Sequence, residues 1–272
     1  NPLDTRTLSK KFAGWREFSG RKSFCSGSAD SEMLIASALD ESTRGKLLIA
    51  AIPSHRTGIT LHGDWDNIGQ RQTDSGSATF ERVRVEENEL LLDPGPLSTP
   101  FACLRPLIAQ LTFVNIFLGI AEGAFEEARN YTLKEARPWF KANVSQANQD
   151  PYVLRHYGEF WVGLEGVRLL TERANALLDK AWSKEQRLGA EERGQLALAI
   201  ATAKVAATRT GLDLTSSLFE VTGARATHAA LRLDRHWRNL RTQTLHDPVD
   251  YKLHELGDWA LNSALPTPSF YS

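Results

Sequence analysis

The chain has 272 residues, 42% of them hydrophobic and 24% charged, which is typical of a folded protein and excludes a disordered one. The formal net charge is -1 at pH 7, so no overall field attracts nucleic acid or anionic lipid, and any anion site must be local. Two cysteines, Cys25 and Cys103, are too few for a disulfide framework and suit a reducing compartment. We therefore expect a cytoplasmic protein without a nucleic-acid or membrane partner.

Residues 15–92 have the pattern of a β domain. Short runs of alternating or uniformly apolar residues are separated by turns rich in Gly, Pro and Asp. The runs are residues 16–27, 32–39, 46–53 and 78–85. They predict a compact antiparallel sheet or a small barrel.

From Ser98 onward the pattern becomes helical. The Ser-Thr-Pro sequence at 98–100 indicates a helix start, and helical periodicity then continues to Glu135. Asp150 followed by Pro151 repeats this N-terminal signal. A third long helix, rich in alanine, starts near residue 190 and ends before Gly223, and two shorter helices are expected at about 229–241 and 248–262.

The longest apolar stretch, residues 107–125, is interrupted by four polar residues. They are Gln110, Thr112, Asn115 and Glu122. Because such interruptions are unfavourable in a bilayer, the stretch predicts a buried helix and not a membrane span.

These patterns predict an α+β fold, in which a small antiparallel β domain (1–97) is followed by an up-down helical bundle (98–272). The linker is residues 93–98. The chain begins with Asn1, and its one methionine is Met33, inside a strand-like run. We therefore expect it to be the C-terminal part of a longer protein.

A histidine, His246, directly precedes an Asp-Pro pair. Asp247 is a good N-cap residue and Pro248 a good first helical residue, so His246 is expected just before a helix N-terminus. Such a position disfavours a cationic ring and favours a bound anion, to which a neutral imidazole can donate a hydrogen bond. The alternative is an ordinary turn histidine bonded to a carbonyl, and the local pattern leaves both open.

Two arginines are candidates for anion binding. Arg225 follows Gly223 on a tight connection between helices, where a guanidinium beside exposed backbone amides can bind phosphate. Arg137 lies with Trp139 and Phe140 at the end of the first long helix, where it could contact an anion or a stacked ring. The alternatives are a surface arginine bonded to a carbonyl and a helix stop covered by aromatic residues.

Small hydroxyl residues are concentrated in 20–32, which usually indicates a turn but could also provide contacts to a polar ring. Nothing in the sequence gives Cys25 a basic partner, so we do not expect it to be a nucleophile. The histidines have no metal-ligand spacing, and no metal site is expected. Arginines recur at every third residue from 232 to 241, a stripe better explained by solvent or a subunit contact than by nucleic acid.

Residues 65–85 resemble the middle β domain of the acyl-CoA dehydrogenase superfamily, in which a W-x-x-x-G-x-R-x-T-x-S-G-like stretch precedes a strand ending in V-x-V. Residues 20–27, GRKSFCSG, resemble the strand of that domain that lies against the flavin ring. Five further stretches resemble the flavin-dependent sulfur monooxygenases, of the dibenzothiophene monooxygenase and sulfur-acquisition oxidoreductase type. They are residues 136–139, 157–160, 220–228, 234–252 and 266–272.

The resemblance implies a homotetramer with an N-terminal helical domain that this chain lacks. It implies reduced FMN, supplied by a separate flavin reductase, as the cofactor, with FAD possible. It assigns His246 to the reactive edge of the flavin, where the imidazole would stabilise a C4a-hydroperoxide. Arg225 and Arg137 match arginines that hold the flavin phosphate of a neighbouring subunit. Phe24, Cys25 and Ser26 match the strand beside the isoalloxazine, and Ser31 matches a serine near flavin and substrate.

One departure bears on the reaction. Acyl-CoA dehydrogenases carry a catalytic glutamate in a Y-E-G-T-like stretch, and the corresponding stretch here is Thr-Leu-His-Asp-Pro, residues 244–248. A dehydrogenase needs that carboxylate to remove a proton. The resemblance therefore implies a monooxygenase that transfers one oxygen atom from O₂, by way of the flavin hydroperoxide, to an organosulfur substrate. The alternatives are an acyl-CoA dehydrogenase, a related flavin hydroxylase, and a non-catalytic oligomerisation module.

Overall fold

The computed structural model describes residues 4–43 and 46–272, and the chain divides into two compact units between Cys103 and Leu104. The division lies six residues after the boundary predicted from the sequence. The first unit contains the β-strands and the second the long helices, so the predicted α+β class and the order of strands before helices along the chain are confirmed.

The first unit is built on one six-stranded sheet with the order β4-β3-β1-β2-β6-β5. The strands are β1 (Thr7–Phe12), β2 (Trp15–Lys22), β3 (Met33–Asp40), β4 (Lys46–Pro53), β5 (Ile59–Leu61) and β6 (Ala78–Glu86). Four of the five pairings are antiparallel, as predicted, whereas β1 and β3 are parallel. Because β4 and β5 lie at opposite edges, the sheet formed by the described residues is open and not a closed barrel.

Strand β1 lies near the centre of the sheet, although the sequence pattern did not reveal it. Its inward positions are Thr7 and Ser9, both buried, whereas Leu8 between them is 42% exposed. A hydropathy pattern therefore does not show the alternation of buried and exposed residues in β1, because polar residues occupy the buried side. The core of this unit comes from the other strands and includes Phe18, Ile52 and Val83, each fully buried.

The second unit contains three long helices and two shorter ones. They are α1 (Leu104–Lys134), α2 (Pro151–Trp182), α3 (Ala190–Thr222), α4 (Asp234–Thr244) and α5 (Val249–Asn262). Helix α3 packs against each of the other four. Its alanines allow this close approach, and most of its residues between Leu196 and Val221 are buried.

The ends of the helices agree with the sequence where caps are local. The Asp150 carboxylate accepts a hydrogen bond from the Tyr152 amide at 2.9 Å, and Pro151 is the first residue of α2. Gly223, with φ of 76°, ends α3. Both predictions are confirmed, because each cap depends only on the residues at that helix end.

Two helix starts differ from the sequence-based expectation. Helix α1 begins at Leu104, since Thr99 forms a separate turn in which its carbonyl accepts from the Cys103 amide at 3.0 Å. Helix α4 begins at Asp234 and not near 229, because Arg232 has a φ of 52° and interrupts the helical path. Residues 229–231 form a short 3₁₀ turn instead.

Helix α1 is long and apolar enough, by length and composition alone, to cross a membrane, with a mean hydropathy of 1.6 over its most apolar window. The core helices of folded bundles share this property. In the structure α1 packs against α2, α3 and α4, and its Gln110 is buried and accepts a hydrogen bond from Lys204 on α3.

Candidate active site

His246 lies in the short segment between α4 and α5, two residues before Pro248, which caps α5. Its side chain is 41% exposed. The imidazole lies 4.5 Å from the ring of Phe113 on α1 and meets the ring of Tyr271 edge-on at 5.7 Å, both measured between centroids. The ring is therefore held by packing on two sides and remains accessible.

Asp247 does not cap α5, contrary to the sequence-based prediction, and its side chain points into the bundle. Its Oδ1 atom accepts hydrogen bonds from Lys204 Nζ at 2.5 Å, from His246 Nδ1 at 3.0 Å and from Gln110 Nε2 at 3.3 Å. The reason is electrostatic. A buried lysine requires a carboxylate partner, and this outweighs the hydrogen bond that a cap would provide.

The charge of Asp247 fixes the tautomer of His246. Burial alone would raise the pKa of Asp247, but the hydrogen bond from His246 and the charge of Lys204 lower that pKa to about 2. Asp247 is therefore a carboxylate at neutral pH, and the atom facing it, His246 Nδ1, must carry a proton.

This tautomer changes the expected role of the ring. When the Nδ1–H group donates its hydrogen bond to Asp247, a neutral ring has a lone pair at Nε2. Only the imidazolium can donate a hydrogen bond from Nε2. A neutral His246 thus accepts a proton or hydrogen bond at Nε2, and does not donate one as the sequence suggested. Nε2 is the atom available for chemistry.

Lys204 was not singled out from the sequence, and Gln110 was noted only as a polar interruption of an apolar stretch. Lys204 is 2% exposed and Gln110 is equally buried, and both interrupt otherwise apolar runs. Burial lowers the pKa of Lys204 below its usual value, although the carboxylate of Asp247 opposes this shift. A single lysine or glutamine within an apolar helix could have indicated this cluster from the sequence, since a buried polar group must have a buried partner.

Arg225 lies in a short 3₁₀ helix, residues 224–227, directly after Gly223 at the end of α3. It is exposed, and within residues 4–43 and 46–272 its guanidinium makes no hydrogen bond or ion pair. Arg137 is also exposed, on the segment that follows α1, next to Trp139 and Phe140, which are 65% and 72% exposed. Among the described residues neither guanidinium has a hydrogen-bond or ion-pair partner, so both arginines are available to bind an anion.

Arg137 and Arg225 follow helix ends that meet at one end of the bundle. The Thr132 hydroxyl near the end of α1 donates to the Val221 carbonyl near the end of α3, at 3.1 Å. The Asp247 network instead contacts α1 at Gln110, 22 residues before Thr132. At a helical rise of ~1.5 Å per residue, this separation is about 33 Å along the axis.

Phe24, Cys25 and Ser26 belong to the first unit and follow the end of β2 at Lys22, so they lie beyond the strand and not within it. Phe24 has a φ of 58°, and its ring is 62% exposed, edge-on to Trp65 at 6.1 Å. The Cys25 amide donates to the Gly76 carbonyl at 2.9 Å, and burial raises the pKa of the Cys25 thiol. Cys25 therefore stays protonated at neutral pH, as expected for a residue that is not a nucleophile.

The serines near these residues are tied to the same loops. Ser26 and Ser75 share a hydrogen bond between their hydroxyls at 2.6 Å, and Ser75 is bonded in turn to the Thr73 hydroxyl at 2.7 Å. Ser31 is half-buried, and its hydroxyl donates to the Ser28 carbonyl at 3.2 Å. Hydroxyls, backbone amides and an exposed aromatic ring lie together here.

These groups fit a flavin mononucleotide in kind. An isoalloxazine takes apolar or aromatic contact on its faces and hydrogen bonds at its polar edge, which the surface around Phe24 and Ser26 can provide. A phosphate takes guanidinium donors, which Arg137 and Arg225 can provide.

Comparison with known proteins shows the family. The family described as acyl-CoA dehydrogenase, C-terminal domain, matches residues 111–251. A probable FMNH₂-dependent monooxygenase, SfnC of Pseudomonas putida, is 78% identical over all 272 residues, which cover 69% of its length. The chain belongs to the acyl-CoA dehydrogenase superfamily. The resemblance predicted from the sequence is confirmed.

Two solved structures of this superfamily are similar over nearly the whole chain. Methanesulfinate monooxygenase MsuC from Pseudomonas fluorescens has a TM-score of 0.98 and 79% identity, and covers 100% of this chain and 70% of its own. FMN-bound TdsC from Paenibacillus sp. A11-2 has a TM-score of 0.92 and 43% identity, and covers 99% and 70%. The chain thus spans about two thirds of the length of these superfamily members.

Proposed function

We propose that this chain belongs to an FMNH₂-dependent monooxygenase that transfers one oxygen atom of O₂ to an organosulfur substrate, while the other oxygen leaves as water. The observation that carries the proposal is the hydrogen bond from His246 Nδ1 to Asp247, which leaves Nε2 of a partly exposed imidazole available. The high identity to proteins named FMNH₂-dependent and methanesulfinate monooxygenase supports both the cofactor and the substrate class.

His246 acts in this proposal as the residue that controls one proton. Reduced FMN, when bound, supplies the two electrons needed to activate O₂. The Nε2 atom of His246 accepts a hydrogen bond or a proton from the activated oxygen, while Nδ1 remains bonded to the fixed carboxylate. Packing against Phe113 and Tyr271 keeps the ring in one orientation.

The same geometry argues against a dehydrogenase at this position. The carboxylate in the stretch that corresponds to the dehydrogenase glutamate motif is Asp247, which is 7% exposed and ion-paired with Lys204. Its pKa of about 2 makes it a weak base, because a catalytic base works best with a pKa near the working pH. Asp247 is thus suited to orienting His246 and not to removing a proton from a substrate.

The two arginines are proposed to bind the FMN phosphate of a neighbouring subunit in a homotetramer. Within one chain, the end of α1 and the His246 region are separated by about 33 Å along the helix axis, too far for one flavin to contact both. A shared site therefore requires a second copy of the chain. Arg225 and Arg137 are both exposed and, in the part of the chain that the structure describes, have no side-chain partner to lose in this role.

In the first unit, Phe24, Cys25 and Ser26 are proposed to lie beside the isoalloxazine. The exposed ring of Phe24 offers an aromatic contact, and the Ser26 hydroxyl offers a polar one. Ser31 is proposed to lie near flavin and substrate. We also propose a cytoplasmic location and a separate flavin reductase as the supplier of reduced FMN, because the cofactor is consumed in its reduced form.

The substrate class is tested with the whole enzyme, a flavin reductase, NADH and FMN, under ¹⁸O₂. An alkanesulfinate is the first compound to test, beside dibenzothiophene and a small sulfone. We expect one ¹⁸O atom in the product of at least one sulfur compound. Anaerobic bleaching of bound flavin by acyl-CoA, without oxygen transfer to any sulfur compound, would establish the dehydrogenase instead.

A further inference from the structure

Lys204 is an unusual residue for its position. It lies on α3 in the run Ala-Ile-Ala-Thr-Ala-Lys-Val-Ala-Ala, residues 199–207, and is 2% exposed. Its ammonium group donates to Asp247 Oδ1 and to Gln110 Oε1, each at 2.5 Å. Burying a lysine with its partner seldom stabilises a fold more than apolar residues of the same size would. The pair therefore calls for an explanation beyond stability.

An explanation is suggested by the contact of Lys204 with Asp247, because His246 bonds the same carboxylate. Lys204 Nζ and His246 Nδ1 bond the same oxygen, Asp247 Oδ1, at 2.5 and 3.0 Å. The two nitrogens can be no farther apart than the sum of these distances. The ammonium group of Lys204 therefore lies close to the imidazole, on the other side of the carboxylate oxygen that orients the ring.

Asp247 and Lys204 favour opposite protonation states of the His246 ring. The Asp247 carboxylate alone would favour an imidazolium, as aspartate partners of histidine do. The Lys204 cation disfavours an imidazolium in two ways, because it offsets the charge of Asp247 and because it repels a second cation. With both in place, Asp247 fixes the tautomer while the local charge is balanced.

Two further charged groups near this cluster, Lys252 and Glu255 on α5, form an ion pair with each other. On α5, Lys252 is 4% exposed and donates to the carboxylate of Glu255 and to the Tyr271 carbonyl. Helix α1 contributes the uncharged side chains of Gln110 and Phe113. Removal of Lys204 would thus leave Asp247 as the unbalanced charge beside the imidazole.

We propose that Lys204 is a positioning residue that acts through Asp247 to keep the His246 ring neutral, with the Nε2 lone pair available, at the pH at which the enzyme works. The inference deepens the proposed function and rests on it, because it assumes that Nε2 is the atom that accepts the proton. Without the lysine the ring would be protonated over a wider pH range and Nε2 would be blocked as an acceptor.

The test measures the protonation of His246 directly. Hydrogen-deuterium exchange at the imidazole Cε1, followed residue by residue with mass spectrometry, gives a pH midpoint for each histidine in the whole, FMN-free enzyme. In Lys204→Met and Lys204→Gln we expect the midpoint of His246 to rise by roughly one pH unit, the size typical of a nearby charge that loses its compensation. His156 on α2 serves as the internal reference and should not move.

Two further variants separate charge from packing. Lys204→Arg keeps the cation and should leave the His246 midpoint within a few tenths of a unit of the wild type. Lys204→Met/Asp247→Asn removes both charges and should reverse the rise seen in Lys204→Met. A folded Lys204→Met or Lys204→Gln with an unchanged midpoint would overturn the proposal, as would a similar rise in Lys204→Arg.

The wild-type protein gives a check that needs no variant. If exchange shows the His246 ring to be mostly protonated at pH 7.5, the proposal is wrong. This test is independent of the test of the proposed function, because hydrogen-deuterium exchange is measured without flavin or substrate. Failure to oxygenate any sulfur compound while the midpoint shifts as expected would remove the proposed function and leave the electrostatic role of Lys204 standing.

Discussion

Asp247 and Lys204 form an ion pair at 2.5 Å, with side chains that are 8% and 2% exposed, and Asp247 also orients His246. One carboxylate thus links the stability of the bundle to the state of the candidate catalytic ring.

Replacement of His246 should uncouple flavin oxidation from oxygen transfer. In His246→Phe, FMN binding should persist, because the ring is replaced by one of similar shape that packs against Phe113 and Tyr271. Product formation should fall by about 100-fold or more, as expected for loss of a proton-transfer group, and hydrogen peroxide should form instead. Product and peroxide are quantified in the reductase-coupled assay. The matched control is His156→Phe on α2, and equal product yield in His246→Phe and wild type would contradict the role.

Replacement of Asp247 should destabilise the protein strongly. Asp247→Ala leaves the Lys204 ammonium buried without its carboxylate, and breaking a buried pair in this way costs about 3–5 kcal/mol. The free energy of unfolding is measured by urea denaturation. Asp234→Ala is the control, since its pair with Arg238 is exposed and should contribute less than about 1 kcal/mol. Similar losses in the two variants would show that the buried pair is not special.

Acid should remove the contribution of Asp247 within a defined range. Its pKa is about 2 in the folded protein against an ordinary value of 3.8, so the folded state favours the charged form. The resulting stability, about 2 kcal/mol, is fully present above about pH 4 and is lost as the pH falls through about 2. Urea unfolding of the wild type and of Asp247→Asn between pH 2 and pH 6 tests this. The curves should converge at low pH, and parallel curves would be inconsistent with the shifted pKa.

The arginines should act on the flavin of another subunit. Arg225→Ala should weaken FMN binding at least about tenfold through loss of a charge-assisted phosphate contact, whereas Arg155→Ala, an exposed control on α2, should not. Flavin fluorescence titration measures the affinity. The arrangement is tested by co-expressing Arg225→Ala with His246→Phe under two affinity tags.

Hybrids that contain both variants should regain oxygen transfer, because some sites then combine an intact His246 from one subunit with an intact Arg225 from the other. Hybrids as inactive as the two parent variants would show that both residues serve the same subunit's flavin, or that Arg225 does not bind flavin.

Most of the fold was predictable because its signals are local. The Asp150-Pro151 start of α2 and the Gly223 end of α3 need only neighbouring residues, and both are confirmed. Strand β1 was not predicted because its buried positions are Thr7 and Ser9, which a hydropathy pattern assigns to the surface. Residues 229–231 were wrongly predicted to belong to the following helix. Arg232 has a positive φ, which arginine rarely adopts, and it separates these residues from the helix.

The sequence by itself determined the superfamily, the order of the two units and the choice of His246 as a candidate, because these depend on motifs and on periodicity along the chain. Only the tertiary structure decided what His246 can do. Asp247 is an N-cap by its local sequence, yet it turns inward to Lys204, 43 residues away on α3. The electrostatic demand of a buried ammonium outweighs the local preference of a helix end, and this long-range pairing fixes which nitrogen of His246 is free.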